Sequence, residues 1–321
     1  MTRRLAVLGL GSIGTRHARN LMEMGHQVIG FDPDPLIRSR FIEQGGQSTA
    51  SRSQAIAASD AVVIASPNRH HLADLQAALA AEKPVFVEKP LSDKIDGVAE
   101  TLALADRQGQ RVFVGFNLRF HPAVRQAKQW ITEGLIGKPL WGRFQVSVYL
   151  PNFRPNQDHR QGYVADPASG GVLYDNIHEV DLALHLLGPA SLSSASACST
   201  GSIDIPADDL AVLILSHNQG CMSTVQVDLV TQPRIRASSV AGTKGRIEID
   251  LDVRRAVFLP TSGEALTVSF PGSYADDYKC EMEAFLSSTS RADGQACDGW
   301  SALASLSIVV DARKHAGLPQ P

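Results

Sequence analysis

The fold is decided by the stretch LAVLGLGSIGTRHARNLMEMG, residues 5–25, at the start of the chain. Its first run, LAVL, is typical of a buried strand, and the residues after the glycines follow a helical pattern that stops at Gly25. Between strand and helix lies the motif Gly9-x-Gly11-x-x-Gly14. The motif is weak evidence alone, but a strand before it and a helix after it form the context in which it binds a dinucleotide. The stretch therefore predicts the first strand, turn and helix of a Rossmann domain.

Each glycine of this turn has its own physical role. Gly9 permits the tight turn, Gly11 lets a pyrophosphate approach the backbone, and Gly14 lets the helix pack closely on the strand. The free N–H groups at the helix N-terminus would bind the phosphates. A purely structural turn is the alternative, and the flanking strand and helix count against it. The residues of the turn assigned to the cofactor are Gly9, Gly11, Ser12, Ile13 and Gly14.

The second predicted strand, QVIGFD, ends at an acid, Asp32. A carboxylate at this position accepts hydrogen bonds from the adenosine ribose and repels a 2′-phosphate, so the sequence predicts NAD rather than NADP. Arg38 and Arg40 lie close by in the sequence and complicate that preference. A helix cap is the alternative role for Asp32, but Asp34 before Pro35 is the better cap candidate.

Strands and helices continue to alternate up to residue 116. The apolar runs AVVIA (61–65), VFVEK (85–89) and RVFVGF (111–116) are separated by helical segments. Apolar strands that alternate with helices indicate a parallel, doubly wound sheet. We predict a six-stranded Rossmann domain over residues 1–120, with the strand order 3-2-1-4-5-6.

Two polar segments follow strands of this sheet, at the edge where open α/β sheets bind ligands. They are Ser66-Pro67-Asn68 and Glu88-Lys89-Pro90. The lysine would lie near the nicotinamide and protonate or hydrogen-bond the oxygen whose carbon exchanges hydride, with Glu88 to orient it. An ordinary surface ion pair is the alternative. The cofactor-binding residues predicted beyond the glycine turn and Asp32 are Ser66, Pro67, Asn68, His71, Glu88, Lys89 and Asn117.

The rest of the chain has a different pattern. A helix is predicted from about Pro122 to Glu133. Strand-like segments with a period of two follow at residues 140–150, 209–220, 221–230, 235–245, 246–251 and 256–260. Because these segments lack intervening helices, they indicate an open, mainly antiparallel sheet with one covered face. Two helices close the chain. We predict an α+β domain over residues 121–321, which binds the substrate and whose free sheet face forms a homodimer or homotetramer.

Polar residues concentrate in the segment SGGVLYDNIHEVDLALHLLG, residues 169–188, for which we predict one helix from about Val172. Four of them share one side of that helix: Asp175, His178, Asp181 and His185. A metal site is one interpretation, but no HExxH pattern supports it, and no metal is predicted. Buried, satisfied polar groups are a second interpretation, and an acid–base histidine oriented by a carboxylate is the third. Near the helix start, His178 fits catalysis, whereas His185, among leucines, fits a structural role.

Composition excludes several classes of protein. The chain has 321 residues, 44% of them hydrophobic and 20% charged, which is an ordinary globular balance. The net charge of −3 and the lack of a basic run count against a nucleic-acid partner. No signal-peptide pattern and no apolar run of about 18 residues occurs, so we expect no membrane association and a soluble, cytoplasmic protein. The four cysteines lack CxxC spacing and are interpreted as reduced structural thiols.

Five motifs together resemble one family. GLGSIGTRH, SPNRHH, VFVEKPLS, GFNLRFHP and SGGVLYDNIHEVD occur in the order and places found in the Gfo/Idh/MocA oxidoreductases. The resemblance implies nicotinamide-dependent oxidation or reduction of a sugar, cyclitol or related polyol. It implies Lys89 and His178 as the catalytic pair, with Asp175 supporting. In the family, this Asp and His are more commonly four residues apart, whereas Asp175 and His178 are three residues apart. The difference leaves the role of Asp175 open. DNIHEVD is similar to a subgroup associated with acidic nine-carbon sugars or surface polysaccharides.

Two other function classes remain open, since fold alone does not separate them. The same fold includes NAD-dependent glycosidases, which oxidise a sugar transiently, and non-catalytic regulators that sense sugars. An intact Lys89 and His178 argue against a regulator, and net NADH production would distinguish a dehydrogenase from a glycosidase. Several arginines among the candidates suggest a carboxylate or phosphate on the substrate. The candidate substrate contacts are Lys89, Arg119, His121, Arg154, Arg160, Tyr163, Asn176 and His178.

Overall fold

The computed structural model describes residues 2–153, 158–287 and 295–321. The chain forms two compact units. One runs up to Phe116 and takes in Tyr278–Leu303, and the other contains Asn117–Asp277 and Ala304–Pro321. This division differs from the 1–120 and 121–321 domains expected from the sequence, because part of the C-terminal region joins the first unit. The division of labour between cofactor and substrate domains stays a prediction.

The first unit is a parallel α/β sheet. Its strands are β1 (Arg4–Leu8), β2 (Gln27–Phe31), β3 (Gln47–Thr49), β4 (Ala61–Ile64), β5 (Val85–Glu88) and β6 (Val112–Gly115). Its helices are α1 (Ser12–Glu23), α2 (Pro35–Glu43), α3 (Arg52–Ala57), α4 (Asn68–Ala80) and α5 (Val98–Arg107). Every residue of β4, β5 and β6 is buried, as expected of strands covered on both faces. The strand order β3-β2-β1-β4-β5-β6 confirms the predicted Rossmann fold.

The second unit is an α+β fold. Its helices are α6 (Pro122–Thr132), α7 (Leu150–Phe153), α8 (Gly171–Asp175) and α9 (His178–Leu187). Its strands are β7 (Pro139–Tyr149), β8 (Ala190–Cys198), β9 (Leu210–His217), β10 (Met222–Asp228), β11 (Val230–Gly242), β12 (Gly245–Asp250), β13 (Arg255–Pro260) and β14 (Leu266–Ser269). Two more helices follow, α10 (Tyr274–Leu286) and α11 (Gly299–His315), and the boundary between the units falls inside each of them.

The sheet of the second unit has the order β14-β13-β12-β11-β7-β10-β9-β8. Neighbouring strands are antiparallel except β7 and β10, which are parallel, so the mainly antiparallel sheet is confirmed. Helix α9 packs on β7 and β10. Side chains alternate along these strands, so Phe144 and Val146 of β7 lie under α9 while Trp141 faces away and is exposed.

Aromatic packing explains why part of the C-terminal region belongs to the first unit. The ring of Phe285, in α10, meets Phe86 at 5.7 Å and Phe113 at 6.0 Å, edge to face. Beyond it, Asp298 pairs with Phe113 as an isolated antiparallel bridge and covers the outer edge of β6. The sequence expectation assigned these residues to the second domain because nothing local links them to β6.

The single helix predicted from Val172 to Gly188 is wrong. The segment forms two helices, α8 and α9, separated by Asn176 and Ile177. Asn176 ends α8 with φ −103° and ψ 31°, and its N–H donates to Val172 O. Ile177 O then accepts the first α-helical hydrogen bond of α9, from Asp181 N at 3.0 Å. His178 is therefore the first residue of α9, not a residue two turns into a helix.

Candidate functional site

The glycine turn has the shape that a dinucleotide requires. Gly9 has φ +89°, and a Cβ there would lie 2.5 Å from Ser66 N, while a Cβ at Gly14 would lie 1.8 Å from Gly9 O. These two glycines are needed by the packing of the turn itself. A Cβ at Gly11 would meet no heavy atom within 4 Å, so this glycine leaves open space at the start of α1. That combination fits a turn whose middle glycine admits a ligand.

The carboxylate of Asp32 is tied to this turn. It is buried, and it accepts hydrogen bonds from Leu10 N at 2.9 Å and from Asp34 N at 3.0 Å. The predicted cap of α2 is found at Asp34, whose side chain accepts from Leu36 N at 2.8 Å. Arg38 Nη1 donates to the carbonyl of Asp32 at 2.6 Å, which keeps this guanidinium beside the end of β2.

The segment after β4 forms a hydrogen-bonded network. Ser66 Oγ donates to Asp74 at 2.7 Å, and Arg52 Nη1 donates to the other oxygen of that carboxylate, also at 2.7 Å. Pro67 precedes α4, and Asn68 is its first residue and is buried. The segment Ser66-Pro67-Asn68 is thus held at the carboxyl end of β4, where it was predicted.

His71 links this segment to the one after β5. Its Nε2 lies 2.7 Å from Ser66 O and its Nδ1 lies 2.7 Å from Pro90 O, so both ring nitrogens face backbone carbonyls of the first unit. Burial lowers the pKa of His71, whereas these carbonyls and the charges of Glu88 and Asp74 oppose that shift. The net effect is a lowered pKa, which favours the neutral ring, and a neutral ring donates to one of these two carbonyls at a time. The sequence predicted His71 as a cofactor contact but did not predict that it bridges the segments after β4 and β5.

Glu88 has a partner that the sequence did not reveal. Its Oε1 accepts a hydrogen bond from His17 Nε2 at 2.6 Å, and its Oε2 accepts from the backbone N–H of Lys89 at 3.1 Å. Glu88 is buried and bonded to a fully buried histidine, so it is not an exposed carboxylate of the kind that a surface ion pair contains. Lys89 itself is half-buried at the carboxyl end of β5.

Asn117 is a buried amide at the start of the second unit. It directly follows the last residues of the first unit, and its side-chain Oδ1 and Nδ2 have no hydrogen-bond partner within the described chain. Leaving a buried amide unsatisfied costs about 1–3 kcal/mol per group. A buried amide without a partner is typical of a group that binds a ligand, and Asn117 is predicted to contact the cofactor.

A buried ion pair holds the start of α8. Arg313, in α11, donates to Asp208 at 2.7 Å and to the carbonyl of Gly170 at 3.2 Å. Asp208 also accepts from Leu173 N at 3.1 Å, inside α8. Burial raises the pKa of Asp208, and Arg313 opposes that rise. Gly171 has φ +84° and a Cβ there would lie 2.0 Å from the Asp208 carboxylate, so this position requires glycine.

The polar residues that follow are brought together by the two short helices. Tyr163 donates its hydroxyl hydrogen to Asp175, the last residue of α8. Asn176 is buried and its Nδ2 has no partner among the residues described. His178, only 5% exposed, begins α9. Asp175, Asn176 and His178 thus follow one another across the break between α8 and α9, with Tyr163 bonded to the first of them, and their role in a site stays a prediction.

Two carboxylates of α9 are matched by buried arginines. Arg119 binds Asp181 through two hydrogen bonds of 2.8 and 2.6 Å, and Arg236 donates to Glu179 at 2.9 Å. A bidentate arginine–carboxylate pair of this kind is a strong positioning contact. The charges of Glu179 and Asp181 are thus neutralised by guanidinium groups. The substrate contact predicted for Arg119 gains no support from this buried pair.

His185 lies at the far end of α9 and is buried. Burial lowers its pKa well below the usual value, and the charges of Arg119 and Lys128 act in the same direction. Lys128 Nζ donates to the His185 carbonyl at 2.6 Å, and burial lowers the pKa of this amine too. A neutral ring beside two cations matches the structural role expected of His185.

The other candidate substrate contacts have local partners. His121 caps α6 through its Nδ1, which accepts from Ala123 N, and its Nε2 bonds Leu251 O at 3.1 Å. Arg160 is exposed and binds Asp158 and Asp204. The neighbouring Arg160 lowers the pKa of Asp158 to about 2. Arg154 lies outside the described residues.

Within residues 2–153, 158–287 and 295–321, no group of three or more His, Cys, Asp or Glu side chains is arranged to hold a metal ion. Over the same ranges, no helix combines the length and the apolar character needed to cross a bilayer. The four cysteines, all of them described, form no disulfide with one another.

Comparison with known proteins decides the family. Residues 3–116 match the family model described as "Oxidoreductase family, NAD-binding Rossmann fold", and residues 124–248 match the "GFO/IDH/MocA C-terminal domain". The scyllo-inositol 2-dehydrogenase (NAD(+)) of Bacillus subtilis is 30% identical over 307 residues, covering 88% of this chain and 84% of that protein. The chain belongs to the Gfo/Idh/MocA oxidoreductase family. Its first unit is the family's NAD-binding Rossmann domain, so the predicted family and cofactor are confirmed.

Two further relatives of this Gfo/Idh/MocA oxidoreductase are informative. The 2,7-anhydro-N-acetylneuraminate hydratase of Escherichia coli is 25% identical over 262 residues, covering 76% of this chain and 67% of that protein. A crystal structure of an inositol dehydrogenase homologue from Azotobacter vinelandii, complexed with NAD+, has a TM-score of 0.87 at 19% identity. The match covers 99% of this chain and 96% of that one, and at this identity it establishes the shared fold.

Proposed function

We propose that this oxidoreductase transfers a hydride between NAD and a hydroxyl or keto carbon of a sugar, cyclitol or related derivative. The observation that carries the proposal is the segment at the end of β5, where Lys89 follows a carboxylate held by a buried histidine. A structural surface residue needs no such support. Lys89 also lies at the carboxyl end of a parallel strand, where proteins of this fold bind their ligands.

The residues of the first unit fit a dinucleotide. Gly11 leaves open space at the start of α1, and Gly9 and Gly14 hold the turn in place. The N-terminus of α1 supplies free N–H groups for the phosphates. Asp32 ends β2 beside this turn, as a ribose-binding acid does. The bound cofactor supplies the hydride acceptor, and the chain's own side chains handle the proton.

Lys89 and His178 form the proposed acid–base pair. Oxidation of an alcohol removes a hydride from carbon and a proton from oxygen, so a base must reach that oxygen. His178 takes up the proton and returns it in the reverse reaction, while Lys89 hydrogen-bonds the reacting oxygen. Asp175, held by Tyr163, is proposed to orient this end of α9 rather than to exchange the proton itself.

The names of two relatives support a substrate class for this proposal. One is a scyllo-inositol dehydrogenase and another acts on an anhydro sugar acid, as their names state. Cyclic polyols and sugar acids are therefore the substrates to test first. Arg160, exposed and partly neutralised by Asp158 and Asp204, is the basic side chain we propose for an acidic substrate group.

The proposal is tested by NADH absorbance with a panel of inositols, aldoses, uronates and sialic-acid derivatives. Lys89→Ala should lower turnover by about 10²-fold or more on any substrate found, because a positioned proton-transfer group contributes that much. Lys94→Ala is the matched control, since Lys94 is an exposed lysine of the same loop. Near-normal turnover of Lys89→Ala would exclude Lys89 from the chemistry.

A second candidate function is a redox-neutral reaction on a sugar, in which oxidation is transient. The observation that favours it is the likeness to a hydratase, whose name describes no net oxidation. The test is product analysis by NMR with catalytic NAD+. Conversion of an anhydro sugar or glycoside without net NADH would support this function, whereas stoichiometric NADH would support the dehydrogenase. A sugar-sensing regulator would give neither product.

A further inference from the structure

His17 is a buried titratable residue that the proposed chemistry does not use. It lies in α1, one helical turn after Gly14, and is fully buried. Its ring packs against Phe86 at 5.1 Å and Tyr278 at 5.8 Å, both edge to face. Its only polar contact among the described residues is the 2.6 Å hydrogen bond to Glu88. His17 thus makes one short hydrogen bond to a buried carboxylate in otherwise aromatic surroundings, which is typical of a residue that positions that carboxylate.

The surroundings determine which ring nitrogen carries the proton. Nδ1 is buried and faces no hydrogen-bond partner within the part of the chain described. A buried N–H without an acceptor costs about 1–3 kcal/mol, and orphaned N–H groups are rarer than orphaned acceptors. The proton therefore lies on Nε2, which donates to Glu88. His17 acts as a single donor aimed at one carboxylate oxygen.

That bond controls the orientation of Glu88. Oε1 accepts from His17 and Oε2 accepts from Lys89 N, so each oxygen of the carboxylate has its own donor. Gly115 on the neighbouring β6 leaves room for the group, since a Cβ there would lie 3.2 Å from Glu88 Oε1. Removing the imidazole would free the carboxylate to rotate and weaken its bond to the backbone of Lys89.

The backbone on the other side of Lys89 is also held. His71 bonds the carbonyl of Pro90 at 2.7 Å, so residues 88 and 90 are each fixed by a buried histidine. His17 belongs to the helix that starts at the glycine turn, whereas His71 belongs to α4. The two histidines thus connect the Lys89 segment to α1 and α4, two of the helices that begin at the ligand-binding edge of the sheet.

We infer that His17 is a positioning residue that acts on Lys89 through the carboxylate of Glu88. The inference rests on the proposed role of Lys89 in the reaction. A substitution at His17 should therefore lower kcat more than it weakens the binding of substrate or NADH. The reason is that it displaces the amine of Lys89 and leaves the glycine turn intact. A displacement of about 1 Å at a reacting group can cost 10²-fold in rate.

The test compares His17→Leu with His17→Gln in the full-length protein. Leucine removes the donor and keeps apolar volume, so kcat should fall about tenfold or more, with KM for the substrate and Kd for NADH changed less than about threefold. Glutamine restores an N–H donor and should recover most of the loss. His217→Leu is the control, because His217 is a buried histidine of the second unit with two hydrogen bonds. It should lower thermal stability without this kcat loss.

A measurement without turnover separates the possible failures. In ¹⁵N-labelled protein, two-bond ¹H–¹⁵N spectra should show His17 with a protonated Nε2 and an unprotonated Nδ1, and Glu88→Gln should alter the Nε2 signal. If Lys89→Ala is inactive but His17→Leu turns over normally, this inference is wrong and the proposed function stands. If Lys89→Ala turns over normally, the role proposed for Lys89 fails and this inference fails with it, whatever the NMR tautomer, while hydride transfer itself stands. A kcat loss in His17→Leu that glutamine does not recover would also contradict a role as hydrogen-bond donor.

Discussion

His178 and His185 occupy opposite ends of α9, about 10 Å apart along its axis at 1.5 Å per residue. His178 begins the helix beside Asn176 and Asp175, whereas burial and two neighbouring cations lower the pKa of His185. Only one of the two can reach a given substrate hydroxyl. We expect His178→Ala to lower kcat by about 10²–10⁴-fold, the range for a general base, with Kd for NADH unchanged. His185→Ala should lower the melting temperature and retain most turnover.

The two variants are each other's control, because both remove an imidazole from the same helix. Steady-state kinetics and thermal unfolding on both proteins decide the assignment. If His185→Ala were the inactive variant and His178→Ala merely less stable, the roles given to the two ends of α9 would have to be exchanged.

Cofactor preference is the second prediction about a single residue. Asp32 lies at the end of β2 with its carboxylate bound to Leu10 N and Asp34 N, so its negative charge stays beside the glycine turn. A 2′-phosphate would meet that charge. NADH should therefore bind more tightly than NADPH in fluorescence titrations, and Asp32→Ser should narrow the difference. Equal affinities in the unmodified protein would mean that Arg38, held at the same strand end, offsets the carboxylate.

The sequence identifies residues whose chemistry depends on local context and misses those that depend on distant contacts. Gly9, Gly14 and the cap at Asp34 were predicted correctly, because each acts within a few residues of its own position. The partner of Glu88 could not be predicted, since His17 is 71 residues away along the chain. The GxGxxG motif placed His17 on the helix that begins at the ligand-binding edge of the sheet. The hydrophobic periodicity of that helix does not show which strand His17 contacts.

At the scale of elements, α6 carries the clearest pH dependence. His121 caps this helix with Nδ1 and bonds Leu251 O with Nε2, an arrangement that uses the neutral ring. Burial, chiefly, and the charges of Arg254 and Arg236 lower its pKa from 6.5 to about 4. Between these two values the unfolded chain binds one more proton than the folded protein, so His121 makes stability fall as the pH falls from 6.5 to 4.

His121→Asn tests this linkage, because asparagine keeps a side-chain acceptor at the cap and does not titrate. The unmodified protein should lose more unfolding free energy than the variant between pH 7 and pH 4, by up to about 3 kcal/mol. Urea unfolding at pH 7, 6, 5 and 4 measures the difference. Equal losses of unfolding free energy with falling pH in the two proteins would contradict the role given to His121.

Element prediction succeeded where the apolar pattern is strong and failed where it is weak. The Rossmann strands are buried on both faces and were recognised as apolar runs. Strands β8 and β14 were missed, because both are edge strands in which no residue is buried. The break between α8 and α9 was also missed. Residues 172–187 keep a helical pattern throughout, and the local geometry of Asn176 that interrupts it leaves no compositional signal.

The whole chain carries a free sheet face that bears on assembly. In the second unit α9 covers one side of β7 and β10, and Trp141 and Met222 are paired neighbours on the other side, 43% and 52% exposed. Val212 of β9 points the same way and is also exposed. Large apolar side chains clustered on one open face are typical of protein–protein contacts. We propose that the protein forms homodimers or homotetramers through this face.

Light scattering of the purified protein tests that proposal. The unmodified chain should have two or four times the monomer mass of 34.4 kDa, and Trp141→Glu with Met222→Glu should shift the mass toward the monomer. Two carboxylates buried in a contact would lose hydration without gaining a partner, which weakens association. Leu36→Glu is the matched control, since Leu36 is 67% exposed on α2 of the first unit and its change should leave the mass unaltered. A monomeric unmodified protein, or a double variant with unchanged mass, would show that assembly does not use this face.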